Sequence, residues 1–243
     1  MRMLTFSKRC MKEILRESIN IVFGIGFPVV LLALLSAMQS NIPVELFAIE
    51  SLAPGVAVFG LSFITLFSAT LVSKDRESSF LQRLYTTPLR PCEFILAYML
   101  PLIPISLAQS AVCYMVAMVF GLPFSVNILL ALLSMIPIIL LYVSLGLLVG
   151  SLVGVKAAGG LCGGLFTNLS AWISGVWFDL SLIGGAFEKV ARLLPFVHAV
   201  ELQRAVISGS TEGLATHFTV VTAYAIILTV CAVFVFLGQM KKQ

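Results

Sequence analysis

His198 and Glu201 stand three residues apart in "LLPFVHAVELQRAVISG", a spacing that places both side chains on one face of a helix. They are the most enzyme-like pair in the chain, of types able to hold a metal ion or move a proton. A metal needs more ligands than two, and no HExxH occurs anywhere. No metal site is therefore expected, and the pair reads as the polar face of an outside helix that also carries Pro195 and Arg204. No lysine is followed by serine or threonine, so the GxxxxGK[ST] phosphate cradle is missing. The chain is not itself a P-loop ATPase. The apolar runs hold almost no ionisable residues, which removes the proton-relay chains and arginine ladders of ion-driven carriers and voltage sensors.

The elements that position these residues follow from the charge distribution. Only 11% of the 243 residues are charged and 60% are hydrophobic, whereas a soluble domain carries about 25% charged residues. A bilayer core needs roughly 20 apolar residues in a helix, and charge-poor windows occupy 18–44, 51–73, 94–155, 157–178 and 213–240. The third is long enough for two spans, with Gly121-Leu122-Pro123 as a turn near its middle. The expectation is an all-α integral membrane protein of six transmembrane helices, with cores near 20–38, 52–72, 95–120, 126–152, 158–178 and 218–238. The runs lack the polar/apolar alternation of barrel strands.

Orientation follows from the lysines and arginines. Arg2, Lys8, Arg9, Lys12, Arg16, Lys74, Arg76, Arg83, Arg90, Lys156, Lys241 and Lys242 fall on one side, and only Lys189, Arg192 and Arg204 on the other. Both termini are expected in the cytoplasm of a multi-pass plasma-membrane protein. The net charge of +4 then reflects topology and anionic inner-leaflet lipid, and calls for no nucleic-acid partner. The first apolar run is too long for a signal peptide and lacks a clear cleavage site, so it reads as a retained span.

Residues 1–18 read as an interfacial helix, with Leu4, Met11, Ile14, Leu15 and Ile19 on one face and Lys8, Lys12 and Arg16 on another. Small residues recur at Gly160, Gly164, Ala171 and Gly175 and are candidates for a dimer contact. Asn20, Gln109, Asn127 and Asn168 read as interhelical glue, and the five scattered cysteines as structural. Residues 179–217 are too charged to span. They carry two amphipathic patterns separated by Pro195, expected as short re-entrant outside helices.

Between the second and third spans, "SKDRESSFLQRLYTTP" reads as a short cytoplasmic helix from about Asp75 to Tyr85, with Asp75 and Glu77 in its first turn. Pro88 ends it. Phe80, Leu81, Leu84 and Tyr85 form an apolar patch rimmed by Arg76, Glu77, Gln82 and Arg83, the anatomy of a protein contact.

The order Lys74-Asp75-Arg76-Glu77, Phe80-Leu81-Gln82-Arg83-Leu84 and Thr87-Pro88-Leu89 resembles the membrane subunit of type-2 ABC exporters. The resemblance covers the whole chain as one transmembrane domain, 1–243, with its interfacial helix, the loop at 74–93 and the outside segment at 179–217. Ser78-Ser79 stand where that family often has Gly-Thr. The resemblance implies a non-catalytic permease that works as a homodimer, or as a heterodimer with a related permease, and docks on separate ABC ATP-binding subunits. In that reading Arg76, Glu77, Phe80, Leu81, Arg83 and Leu84 form the coupling helix, and Pro195, His198, Glu201 and Arg204 belong to an exit gate. ATP and magnesium sit on the partner subunit, and this chain binds no cofactor. The nearly uncharged spans suggest a hydrophobic or amphipathic cargo such as a drug, antibiotic, peptide or lipid. The competing readings are a transporter or channel without an ATPase and an integral membrane enzyme.

Overall fold

The computed structural model describes residues 2–17, 22–42, 47–78 and 91–240, and every regular element among them is helical. In chain order these are α1 (Arg2–Arg16), a π-helical turn (Val22–Gly26) leading into α2 (Phe27–Gln39), α3 (Ile49–Glu77), α4 (Pro91–Val119) and α5 (Val126–Leu152). A broken helical segment follows: α6 (Val155–Ala158), a π-helical stretch (Gly159–Phe166) and α7 (Thr167–Ile173). After a short 3-10 turn come α8 (Gly185–Leu193), α9 (Pro195–Ser208) and α10 (Leu214–Met240).

Among the described residues, five helices are long and apolar enough to cross a membrane: Val22–Gln39, Ile49–Glu77, Glu93–Val119, Val126–Leu152 and Leu214–Gln239. Their burial is uneven. The apolar window of α3 is 89% buried, against 17% for Val22–Gln39 and 22% for Leu214–Gln239, so α3 is the axis and the outer helices turn their leucines, valines and phenylalanines outward. The expected fifth span is less regular than the others. Glycines and Asn168 dilute the hydropathy of 155–173, and a π stretch interrupts its α-helical geometry.

α3 can serve as an axis because its neighbours come close. Gly146 and Gly150 of α5 lie directly against the Thr65 and Ala69 carbonyls of α3, where any Cβ would collide with backbone. Across this contact Thr65 and Ser68 donate to the Tyr142 and Val143 carbonyls at 2.9 Å each. Small residues and hydroxyls join helices in lipid because hydrophobicity cannot. The turn expected at Gly121 is present: α4 stops at Val119, Gly121 takes φ 107°, and Ser125 caps α5 through the Asn127 amide.

α1 is a helix, as its periodicity requires, but its contacts differ from the expectation. Phe6, Cys10 and Ile14 are buried on the bundle, with Phe6 edge-on to Tyr98 at 5.0 Å, whereas Leu4 and Leu15 stay exposed. The helix therefore has two apolar strips, one on protein and one free to face lipid. Burial pushes the Cys10 thiol up to about 12, so it stays protonated as a packing group.

Candidate functional site

The chain's only compact run of four charged residues, Lys74-Asp75-Arg76-Glu77, forms the last turn of α3. This corrects the expectation that Asp75 and Glu77 open a separate helix: α3 runs unbroken to Glu77, because partners on the surrounding helices hold these side chains. Asp75 is only 2% exposed. It accepts two hydrogen bonds from Arg9 of α1, both 2.7 Å, and one from the Tyr98 hydroxyl of α4 at 2.8 Å. A buried carboxylate persists when each of its oxygens is met in this way. The bonds to Asp75 hold the Arg9 guanidinium firmly charged, its pKa raised despite partial burial. Arg9 also pairs with Glu13 at 2.8 Å, whose own pKa is raised chiefly by burial. Lys74 pairs with Glu17 just beyond α1 at 2.5 Å.

Arg76 and Glu77 point the other way, to α5 and α6. Arg76 donates to the Gly150 and Val153 carbonyls at 2.8 and 3.3 Å, closing the C-terminus of α5. Glu77 accepts from the Val155 amide at 2.9 Å, placing a negative charge at the N-terminus of α6. Both were expected on the rim of a docking patch. Each also ties α3 to a neighbouring helix, and Glu77 remains exposed. One helical turn thus binds α1, α4, α5 and α6 together at the mouth of segment 79–90. Phe80, Leu81, Arg83 and Leu84 lie outside the described residues.

The second cluster lies at the other end of α3. Arg204 donates to the carbonyls of Ser51, Gly175 and Val176 at 3.1, 3.0 and 3.5 Å, and Ser51 lies 24 residues from Asp75, about 36 Å along a helix. Burial lowers the pKa of the Arg204 guanidinium, while Glu201 and Asp179 oppose that shift. Pro195 starts α9 at a position where its missing N–H costs nothing. His198 bonds the Arg192 carbonyl at 2.9 Å and the His217 ring at 2.8 Å. Glu201 lies 3.4 Å from His217 and 3.6 Å from Arg192. The four expected residues are therefore neighbours on α9, and α10 adds a fifth, His217.

Gln203 was not singled out from the sequence, yet it fastens α9. Fully buried, it accepts from the Tyr114 hydroxyl at 2.8 Å and donates to Ser134 at 2.9 Å and the Ala131 carbonyl at 3.2 Å. Asn127 closes the C-terminal end of α9 through the Ile207 carbonyl at 3.1 Å. Asn127 is thus the interhelical contact expected of it, as is Gln109, which donates to the Ala57 carbonyl at 3.3 Å. Asn168 bonds back within its own helix, to Gly164, and Asn20 lies outside the described residues.

The small-residue stripe divides. Gly160 and Gly164 are exposed with open space where a Cβ would stand, beside exposed Leu161, Leu165, Leu169 and Trp172. Ala171 and Gly175 are buried within the chain, and Gly175 lies past the end of α7 at φ 70°. Of the stripe, only Gly160 and Gly164 therefore present an outward face.

Long apolar helices tied together by the charged last turn of α3 make, among the described residues, a multi-pass membrane bundle. Residues 1–208 match the ABC-2 type transporter family, and the chain belongs to that family. It is the membrane component of an ABC transporter, a family that normally pairs with ATP-binding subunits and is not catalytic itself. No curated protein matches the chain.

Proposed function

We propose that this chain is the permease half of an ATP-driven exporter, coupled to separate ATP-binding subunits through segment 79–90 and forming its translocation pathway as a dimer. Both termini lie in the cytoplasm at the plasma membrane, and residues 155–173 supply the sixth crossing. The observation that carries the reading is the last turn of α3, where four consecutive side chains brace four helices beside that segment. A push delivered there cannot move one helix alone. Asp75 passes it to α1 and α4, Arg76 to α5 and Glu77 to α6.

Two features support the rest. Gly160, Gly164 and their exposed leucines offer a close-approach face with none of the described residues against it, as a second permease subunit would require. α9 is buried among α3, α5 and α10, so a re-entrant segment there has its backbone shielded by protein. The cargo is hydrophobic or amphipathic, in keeping with walls nearly free of charge. ATP and magnesium remain on the partner subunit.

Reconstitution into vesicles with the ATP-binding subunit tests the proposal. ATP-dependent movement of an amphipathic fluorescent probe is expected, absent without the ATPase and absent with Glu77→Lys/Phe80→Ala despite normal membrane abundance. Uphill movement by the chain alone, or full coupling in that variant, sinks it.

A further inference from the structure

His198, Glu201 and His217 each offer one donor atom, and these atoms lie within 4.8 Å of one another. Their hydrogen bonding leaves one place unfilled. A backbone carbonyl only accepts, so the His198 Nε2 facing the Arg192 carbonyl carries a proton. The two Nδ1 atoms, 2.8 Å apart, share a second proton. Two neutral imidazoles have no third to give. The His217 Nε2 therefore directs a bare lone pair at the Glu201 carboxylate from 3.4 Å, a repulsive contact that a cation, or a water donating to both, would relieve.

We infer that His198, Glu201 and His217 bind a divalent transition-metal ion of the zinc type. With Zn–N and Zn–O bonds of about 2.0–2.2 Å, two ligands on a tetrahedral ion stand about 3.4 Å apart. The His217–Glu201 separation already has that value. Rotation of the His198 ring, which gives up its bond to His217, closes the remaining distance. Two imidazoles and one carboxylate form a borderline donor set suited to zinc. The fourth position opens on a groove of about 600 Å³ lined by Glu50, Ser51, Arg192, Glu201, Arg204 and His217, which gives an ion a path in. Gly213, with φ 69°, makes room for the ring: a Cβ there would meet the His217 Nε2 at 2.9 Å. Arg192 competes for Glu201, but it has a nearer partner in Glu188 at 2.9 Å. The ion ties α9 to α10.

The test is calorimetric titration of chelator-stripped, tag-free full-length protein with zinc chloride, supported by the visible absorption of bound cobalt. One ion per chain is expected, with a tetrahedral cobalt spectrum. His198→Ala, His217→Ala and Glu201→Gln each weaken it about tenfold or more, and Cys231→Ser, which removes an exposed thiol elsewhere, leaves it unchanged. Arg192→Gln tightens it, a gain that misfolding cannot imitate. Absence of saturable uptake, uptake that survives His198→Ala/His217→Ala, or no gain in Arg192→Gln overturns the inference and leaves a proton as the cation of the cluster.

Discussion

Arg9 and Asp75, separated by 66 residues in sequence, meet through two parallel hydrogen bonds of 2.7 Å. The pair docks the first helix onto the bundle's axis, and Tyr98 holds the same carboxylate from α4 at 2.8 Å. Such forked geometry is specific to arginine.

Removing one member of that pair leaves the other stranded. Arg9→Met is expected to destabilise the protein by about 3–5 kcal/mol, because Asp75 keeps its burial and loses its counter-charge. Arg9→Met/Asp75→Leu should recover much of the loss. Thermal unfolding of the detergent-solubilised protein measures both, and a double variant weaker than the single contradicts the arrangement.

Arg76→Ala frees the carbonyls of Gly150 and Val153 at the end of α5. Folding and abundance should fall only slightly, since Asp75 and Glu77 still hold α3 to its neighbours. The partner's ATP hydrolysis is expected to persist while transport falls about tenfold, a loss of roughly 1.4 kcal/mol in coupling. Paired ATPase and efflux assays separate the two readouts.

Gly150→Val places a branched side chain against the Ala69 backbone. Neither helix can yield locally, so a destabilisation of about 1–3 kcal/mol is expected. The same change at Gly164, which has open space around it, should leave the monomer's unfolding temperature unaltered and weaken self-association in cross-linking experiments.

Gln203→Leu strands the Tyr114 hydroxyl in the core. The expected cost is about 1–3 kcal/mol, with Tyr114→Phe in the same background restoring part of it. A double-mutant cycle on unfolding temperature checks the coupling.

Cysteine labelling fixes the topology. In a cysteine-free background, Cys at Ser210 should react with an impermeant maleimide on intact cells, and Cys at Ser78 only after permeabilisation. Both positions are exposed, so access alone decides the result, and the reverse pattern inverts the orientation.

The long spans were legible because their signal is local. Helix 126–152 was expected with the ends it has, and the turn at Gly121 follows from residue type alone. The end of α3 was misplaced because charge normally closes a span, and only partners distant in sequence keep Asp75 inside. The Gly160-to-Gly175 stripe assumes one continuous helix, whereas α7 ends at Ile173, Gly175 takes φ 70° beyond it, and Ala171 is buried within the chain. At the outer cluster, His198, Glu201 and Arg204 were recognisable on one helix. His217 was not linked to them, since nothing in its own neighbourhood refers to α9.

By itself the sequence determined that this is a helical membrane protein lacking a phosphate cradle, because hydrophobic length, charge placement and motif content are properties of short windows. Which charges meet was decided only by tertiary structure. The pairings Arg9–Asp75, Glu77–Val155 and His198–His217 depend on helix packing at close range, where small residues set the distance and a buried charge is stable only beside its partner.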